Sequence, residues 1–240
     1  MSFGELPEGW RTALDARPFG DAELDLLYDG LDRVLSPPPP GVVSSFTAPD
    51  RELVFRAFHL TSPDEVRVVV LGQDPYPQVH PDPNPPRRGV ADGLAFSSAG
   101  LWPQPSLVPL LWNLRRSGLQ TEAPCGADLE IWAKRGVLLL NASLAYASGS
   151  IEASLQVSLR DFSRAVLAHC VSLADQPAFL ILGGKAWDIA KPILGSLPPE
   201  QVVRTGHPSR LPWPRPVDPA EPFAELNHFL GERQVSWSLT

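Results

Sequence analysis

Asp74 stands in Gly72-Gln73-Asp74-Pro75-Tyr76, directly behind the β-branched run Val66 to Leu71, and His207 stands in Gly206-His207-Pro208-Ser209, behind Gln201 to Arg204. A carboxylate held at such a point can stabilise developing positive charge and orient an attacking water, and an imidazole can donate to a departing anion. Asn141 follows Leu138-Leu139-Leu140, and its amide, with one acceptor and two donors, can read a hydrogen-bonding edge. Each residue also has a plainer reading. Asp before Pro favours turns, Asn behind an apolar strand is a common turn residue, and Gly-His-Pro is a turn in its own right. Their convergence separates the two readings, and that depends on the elements that carry them.

Four short apolar runs, Val66 to Leu71, Val137 to Leu140, Ala178 to Leu182 and Gln201 to Arg204, read as strands buried on both faces. Helical patterns precede and separate them, at 22–35, 50–59, 105–117, 127–135, 154–173, 184–194 and 220–230. This alternation predicts an α/β fold with a mostly parallel central sheet. Ligands of such sheets bind beyond the carboxyl ends of the strands. There the four runs deliver Asp74 and Tyr76, Asn141, the pair Gly183-Gly184, and His207. Pro37 to Pro40 ends the first helix, and 77–88 reads as an extended loop.

The chain has 240 residues, 43% of them hydrophobic, which is compatible with one domain over 1–240 and excludes wholesale disorder. No apolar stretch approaches 18 residues and the N-terminus lacks a signal-peptide pattern, so a cytoplasmic protein without a membrane span is expected. Cys125 and Cys170 have neither zinc-site spacing nor enough company for a disulfide framework. The net charge of −7 argues against a polyanionic partner until its distribution is considered. Residues 1–36 hold eight acids against three bases, whereas 201–217 hold Arg204, Arg210 and Arg215 with no acid.

The strings G-Q-D-P-Y at 72–76, G-L-A-F-S at 93–97, P-S-L at 105–107, W-A-x-x-G-V-L-L-L-N at 132–141 and H-P-S-x-L at 207–211, in this order, resemble the family 1 uracil-DNA glycosylases. The resemblance implies a three-layer α/β/α fold around a four-stranded sheet. It also implies a monofunctional enzyme that flips uracil out of DNA and hydrolyses its N-glycosidic bond. On this basis Asp74 and His207 are the catalytic pair, and Gln73, Tyr76, Phe96 and Asn141 bind uracil. Tyr76 would exclude the methyl of thymine, Phe96 would stack on the base, and Asn141 would accept from N3–H while donating to O4. Ser106, Gly183, Gly184, Ser209, Leu211 and Arg215 are matched to DNA contacts, with Leu211 as the wedge that fills the vacated stack. No cofactor or metal is implied. The expected partner is uracil-containing DNA, single- or double-stranded, acted on by a monomer.

The departures from the pattern surround the pocket. Pro77 replaces a histidine, Asp92 stands where the family has another, the 77–92 segment is longer, Arg210 replaces a proline and Gly184 a serine. They bear on the rim rather than on the Asp, Asn, Tyr, Phe and His of the pocket. Three other readings stay open at this stage: a glycosylase of the same fold for another damaged base, a non-catalytic DNA-binding descendant, and a protein-interaction module.

Overall fold

The computed structural model describes residues 4–15, 19–35, 47–78, 89–100, 102–120, 126–147, 153–209, 214 and 220–240. In chain order its helices are α1 (Glu8–Asp15), α2 (Asp21–Leu35), α3 (Arg56–Leu60), α4 (Leu107–Arg116), α5 (Glu130–Ala133), α6 (Ala153–Ser172), α7 (Gly184–Leu194) and α8 (Pro222–Leu230). The strands are β1 (Thr47–Ala48), β2 (Val68–Gly72), β3 (Val137–Asn141), β4 (Tyr146–Ala147), β5 (Ala178–Leu182) and β6 (Val202–Thr205).

β3, β2, β5 and β6 form one sheet in that order, and all three pairings are parallel. Every residue of β2 and of β5 is buried. Since successive side chains point to opposite faces, burial of all of them requires a helical layer on each side. Two aromatic clusters knit those helices together. Trp10, Phe55, Phe58 and Phe162 meet edge to face and join α1 and α3 to α6. Trp132, Phe223 and Trp237 join α5 to α8 and the C-terminal segment, with Trp132 Nε1 donating to the Trp237 carbonyl at 3.0 Å.

Gly72 pairs with Asn141, Leu71 with Ile181, and Leu182 with Thr205, so the strands end nearly level along one edge. The ladder continues slightly past them: Ala142 N–H donates to the Gly72 carbonyl, Ser143 N–H to that of Gln73 and Gly183 N–H to that of Thr205, at 3.0 to 3.1 Å. The residues that follow each strand therefore start from fixed points. β1 and β4 form a separate antiparallel pair that sets Tyr146 against the same edge.

The elements depart from expectation in places. The strand expected at 66–71 spans 68–72, and the one at 201–204 spans 202–205. The expected 50–59 helix is a 3₁₀ turn, Arg51–Leu53, followed by α3, and the 127–135 helix shrinks to the four residues of α5. The sequence pattern does not announce α1 or the β1–β4 pair. α1 is short and buries only Trp10 and Leu14, too few positions to declare a period. Among the described residues, no helix is long and apolar enough to cross a membrane.

Candidate active site

The strand ends open into a cavity of about 860 Å³. Gln73, Asp74, Tyr76, Phe96, Ser106, Asn141, Gly183, Gly184, His207 and Ser209 all line it, as do Tyr146, Lys185, Trp187 and Arg204. Leu211 and Arg215 lie outside the described residues, as do 79–88, most of the 77–92 segment.

Asp74 is exposed to the cavity and accepts a short hydrogen bond from the side-chain amide of Gln73. Asn141, the last residue of β3, sits beside Gly72. A Cβ on Gly72 would lie 2.7 Å from Asn141 Oδ1 and 3.1 Å from Phe96 Cε2, so glycine at the end of β2 makes room for both side chains.

Tyr76 is anchored at its hydroxyl. It donates to the Phe96 carbonyl at 3.1 Å, and the remaining contact, 2.7 Å to Ser106 Oγ, is satisfied with serine as donor. Burial pushes the phenol well above its ordinary range, so it stays protonated and keeps both partners. Ser106 is itself buried, so its hydroxyl steadies Tyr76 from behind while the residue borders the cavity.

Phe96 is held with φ at +65°, the one described non-glycine residue in the left-handed region. The segment around it is tied down on every side. Ala95 N–H donates to the Leu139 carbonyl at 3.0 Å, and Asp92 accepts from Leu94 N–H at 3.2 Å and Ser97 Oγ at 2.7 Å. Behind the loop, Arg56 reaches Asp92 at 2.8 Å and also contacts Glu130, all but enclosed. Burial works against charge on both groups. Asp92 and Glu130 nonetheless hold the Arg56 guanidinium charged, while the Asp92 carboxyl is pushed upward by burial against the pull of Arg56 and Ser97.

The His207 ring lies 6.1 Å from that of Phe96. Ser209 N–H points at His207 Nδ1 from 3.2 Å, and Ser209 Oγ stands 2.8 Å from the same nitrogen. A backbone N–H can only donate, so Nδ1 is an acceptor and the neutral ring carries its proton on Nε2. Gly183, with φ at +109°, adopts a conformation that L side chains rarely take, and a Cβ there would come within 3.2 Å of His207 Cβ. It turns the chain into α7, whose first residues, Gly184 and Lys185, line the cavity at the positive end of the helix. A Cβ at Gly184 would meet nothing within 4 Å.

Tyr146, Lys185, Trp187 and Arg204 are among the lining residues that fall outside the recognisable strings. Arg204 stacks on Trp187 with its guanidinium carbon 3.7 Å from the ring centroid, a close cation–π pair at the cavity wall. Lys185 and Tyr146 border both this cavity and a second one beside it. In the sequence Arg204 stands out only as part of a basic stretch. The partnership with Trp187 spans two elements and leaves no local spacing to find. Among the described residues, no group of three or more His, Cys, Asp or Glu is placed to hold a metal ion.

Residues 58–231 match the model of the uracil DNA glycosylase superfamily. The uracil-DNA glycosylase of Desulfitobacterium hafniense is 34% identical over 80% of this chain and 82% of its own length. That of Dichelobacter nodosus is 31% identical over 98% and 96%, respectively. The crystal structure of mimivirus uracil-DNA glycosylase superposes with a TM-score of 0.71 over 98% of this chain and 88% of that one, at 20% identity, a likeness of fold. With sequence matches over most of the chain, a shared fold and a cavity at the strand ends, the chain belongs to the uracil DNA glycosylase superfamily.

Proposed function

We propose that this protein excises uracil from DNA by hydrolysing the bond between the base and deoxyribose, leaving an abasic site, as the first step of base excision repair. The observation that carries the reading is that Asp74 and His207, whose Nδ1 accepts from Ser209 N–H, line one cavity together with Asn141, Tyr76 and Phe96.

The base enters extrahelically, since the bond to be cut is shielded within the stack. Phe96 stacks on it, Tyr76 closes the space a 5-methyl group needs, and Asn141 accepts from N3–H and donates to O4. Cytosine presents the opposite pattern at those atoms and leaves the amide unsatisfied, a strong basis for rejection. As the C1′–N1 bond breaks, its electron pair moves onto the base and spreads to O2, where His207 Nε2–H donates. The deoxyribose becomes oxocarbenium-like, and Asp74 stabilises that charge. Water then adds to C1′ and gives up one proton by way of Asp74, and the uracil anion is protonated from solvent. The Gly183-Gly184 turn and the amides of α7 suit a backbone phosphate beside the flipped nucleotide. Gln73, Ser209, Leu211 and Arg215 keep the roles implied by the resemblance. Action as a monomer belongs to the same proposal.

The test is release of base from oligonucleotides that carry a single uracil, hypoxanthine or mispaired thymine. Uracil release is expected, with Asp74→Asn and His207→Ala each slower by roughly 10²–10⁴. Release of hypoxanthine without uracil would overturn the substrate, and full activity in either variant would overturn the assigned chemistry.

A further inference from the structure

A second cavity, about 570 Å³, adjoins the first and shares Gln73, Asp74, Tyr146 and Lys185 with it. It runs between α6 and α7. Gln156, Arg160 and Arg164, at successive four-residue steps of α6, form one wall, while Lys185, Asp188 and Ile189 of α7 form the other.

The charges in this groove are poorly neutralised. Among the described residues, neither Arg160 nor Lys185 pairs with a carboxylate. Among the described residues, the one carboxylate Arg164 reaches is Asp161, at 3.5 Å, and its Nε is buried with no hydrogen-bond partner. A buried donor without an acceptor is costly unless something supplies one. The acids lining the groove are Asp74, at the junction with the first cavity, and Asp188, so cations outnumber acids there by three to two. In a chain of net charge −7, that local surplus faces the overall trend.

We propose that this groove is a phosphodiester-binding subsite for the DNA strand next to the flipped nucleotide, with Arg160, Arg164 and Lys185 as its phosphate ligands. The inference rests on the reading of the first cavity as a uracil pocket. A nucleotide inserted there carries its backbone out past the junction at Asp74 and Tyr146, where the groove begins. Arg164 offers the exposed part of its guanidinium to a phosphate oxygen, and Arg160 and Lys185 supply charge from the two walls. Asp188 and Asp74 restrict the favourable position to the part of the groove that the arginines command.

The experiment uses the full chain and a set of single-stranded oligonucleotides, each with one uracil and one phosphate replaced by an uncharged methylphosphonate, moved position by position. For the unaltered protein, one position flanking the uracil should lower kcat/KM by about tenfold, the order expected of one charge-assisted hydrogen bond. In Arg160→Gln/Arg164→Gln that position should lose its effect while the others keep theirs. The slope of log(kcat/KM) against log salt should also fall, by about 0.7 on single strands for each phosphate that the variant no longer neutralises. Arg160→Lys/Arg164→Lys should restore part of both, which separates loss of charge from loss of folding. An active parent whose glutamine variant keeps every phosphate sensitivity and the full salt slope would overturn the subsite. So would inhibition by inorganic phosphate that the variant loses without any change in the methylphosphonate pattern, which would assign the groove to free phosphate. A parent inactive on every uracil substrate would instead overturn the functional reading beneath it.

Discussion

The absence of a side chain at Gly72 makes room for two residues that line the cavity, Asn141 and Phe96. Gly72 is not in the left-handed region, so the backbone tolerates alanine, and the cost falls on the neighbours. The added Cβ would stand 2.7 Å from Asn141 Oδ1 and 3.1 Å from Phe96 Cε2. The amide and the stacking ring would both have to shift, and misplacement of about 1 Å at a reacting centre can cost roughly 10² in rate. Gly72→Ala is therefore expected to lower kcat/KM on uracil by about a hundredfold, with a loss of stability of only about 1–3 kcal/mol from overpacking. Kinetics on a uracil oligonucleotide set beside a denaturant melt checks both. Unchanged activity would show that the Asn141 amide can move freely without harm. Asp74, Asn141 and His207 were legible in the sequence because each directly follows a recognisable apolar strand. The contacts of Gly72 were not, since they arise from the register of β2 on β3. The Ser106–Tyr76 hydrogen bond joins residues 30 positions apart and was equally invisible.

The loop that presents Phe96 keeps a backbone conformation that costs of order 1–3 kcal/mol and persists only when its surroundings over-determine it. Those surroundings centre on Asp92, a residue that stands out in the sequence only as a departure from the family pattern. Its two oxygens gather Leu94, Ser97 and Arg56, so the loop is pinned to α3 through a buried ion pair. Removing one partner of such a pair leaves an uncompensated charge, at about 3–5 kcal/mol. Asp92→Asn should fall near the lower end, because Glu130 still faces Arg56. Adding Arg56→Met should recover part of that loss, so that the double variant is less destabilised than the sum of the singles. Strictly additive losses in urea melts would show that the pair does not act as a unit. The sheet itself was readable to within two residues per strand, because strands buried on both faces appear as β-branched or apolar runs. What escaped were elements too short to show a period, α1 and the β1–β4 pair, and the break after Leu53 that sets Arg56 at the start of α3.

For the whole molecule, a net charge of −7 must be reconciled with a polyanionic substrate. The reconciliation is spatial: Lys185 and Arg204 border the cavity, while α2, with five acids against one base, does not line it. Asp25 and Asp29 are exposed there, on successive turns, and do not line the cavity, so their expected action on DNA is repulsion through their field. Such repulsion acts on encounter, not on the chemical step, and reaches only as far as salt permits. The screening length is about 30 Å at 0.01 M and about 8 Å at 0.15 M ionic strength. Asp25→Lys/Asp29→Lys should therefore raise kcat/KM at 0.01 M salt, by about tenfold at most, near the low end of electrostatic steering effects. The gain should shrink towards nothing at 0.15 M, with kcat unchanged throughout. The ratio of variant to parent is the informative quantity, because interactions at the cleft weaken with salt equally in both and cancel. A ratio that stays constant with salt, or a change in kcat, would mean that α2 acts on the site through structure and not through its field.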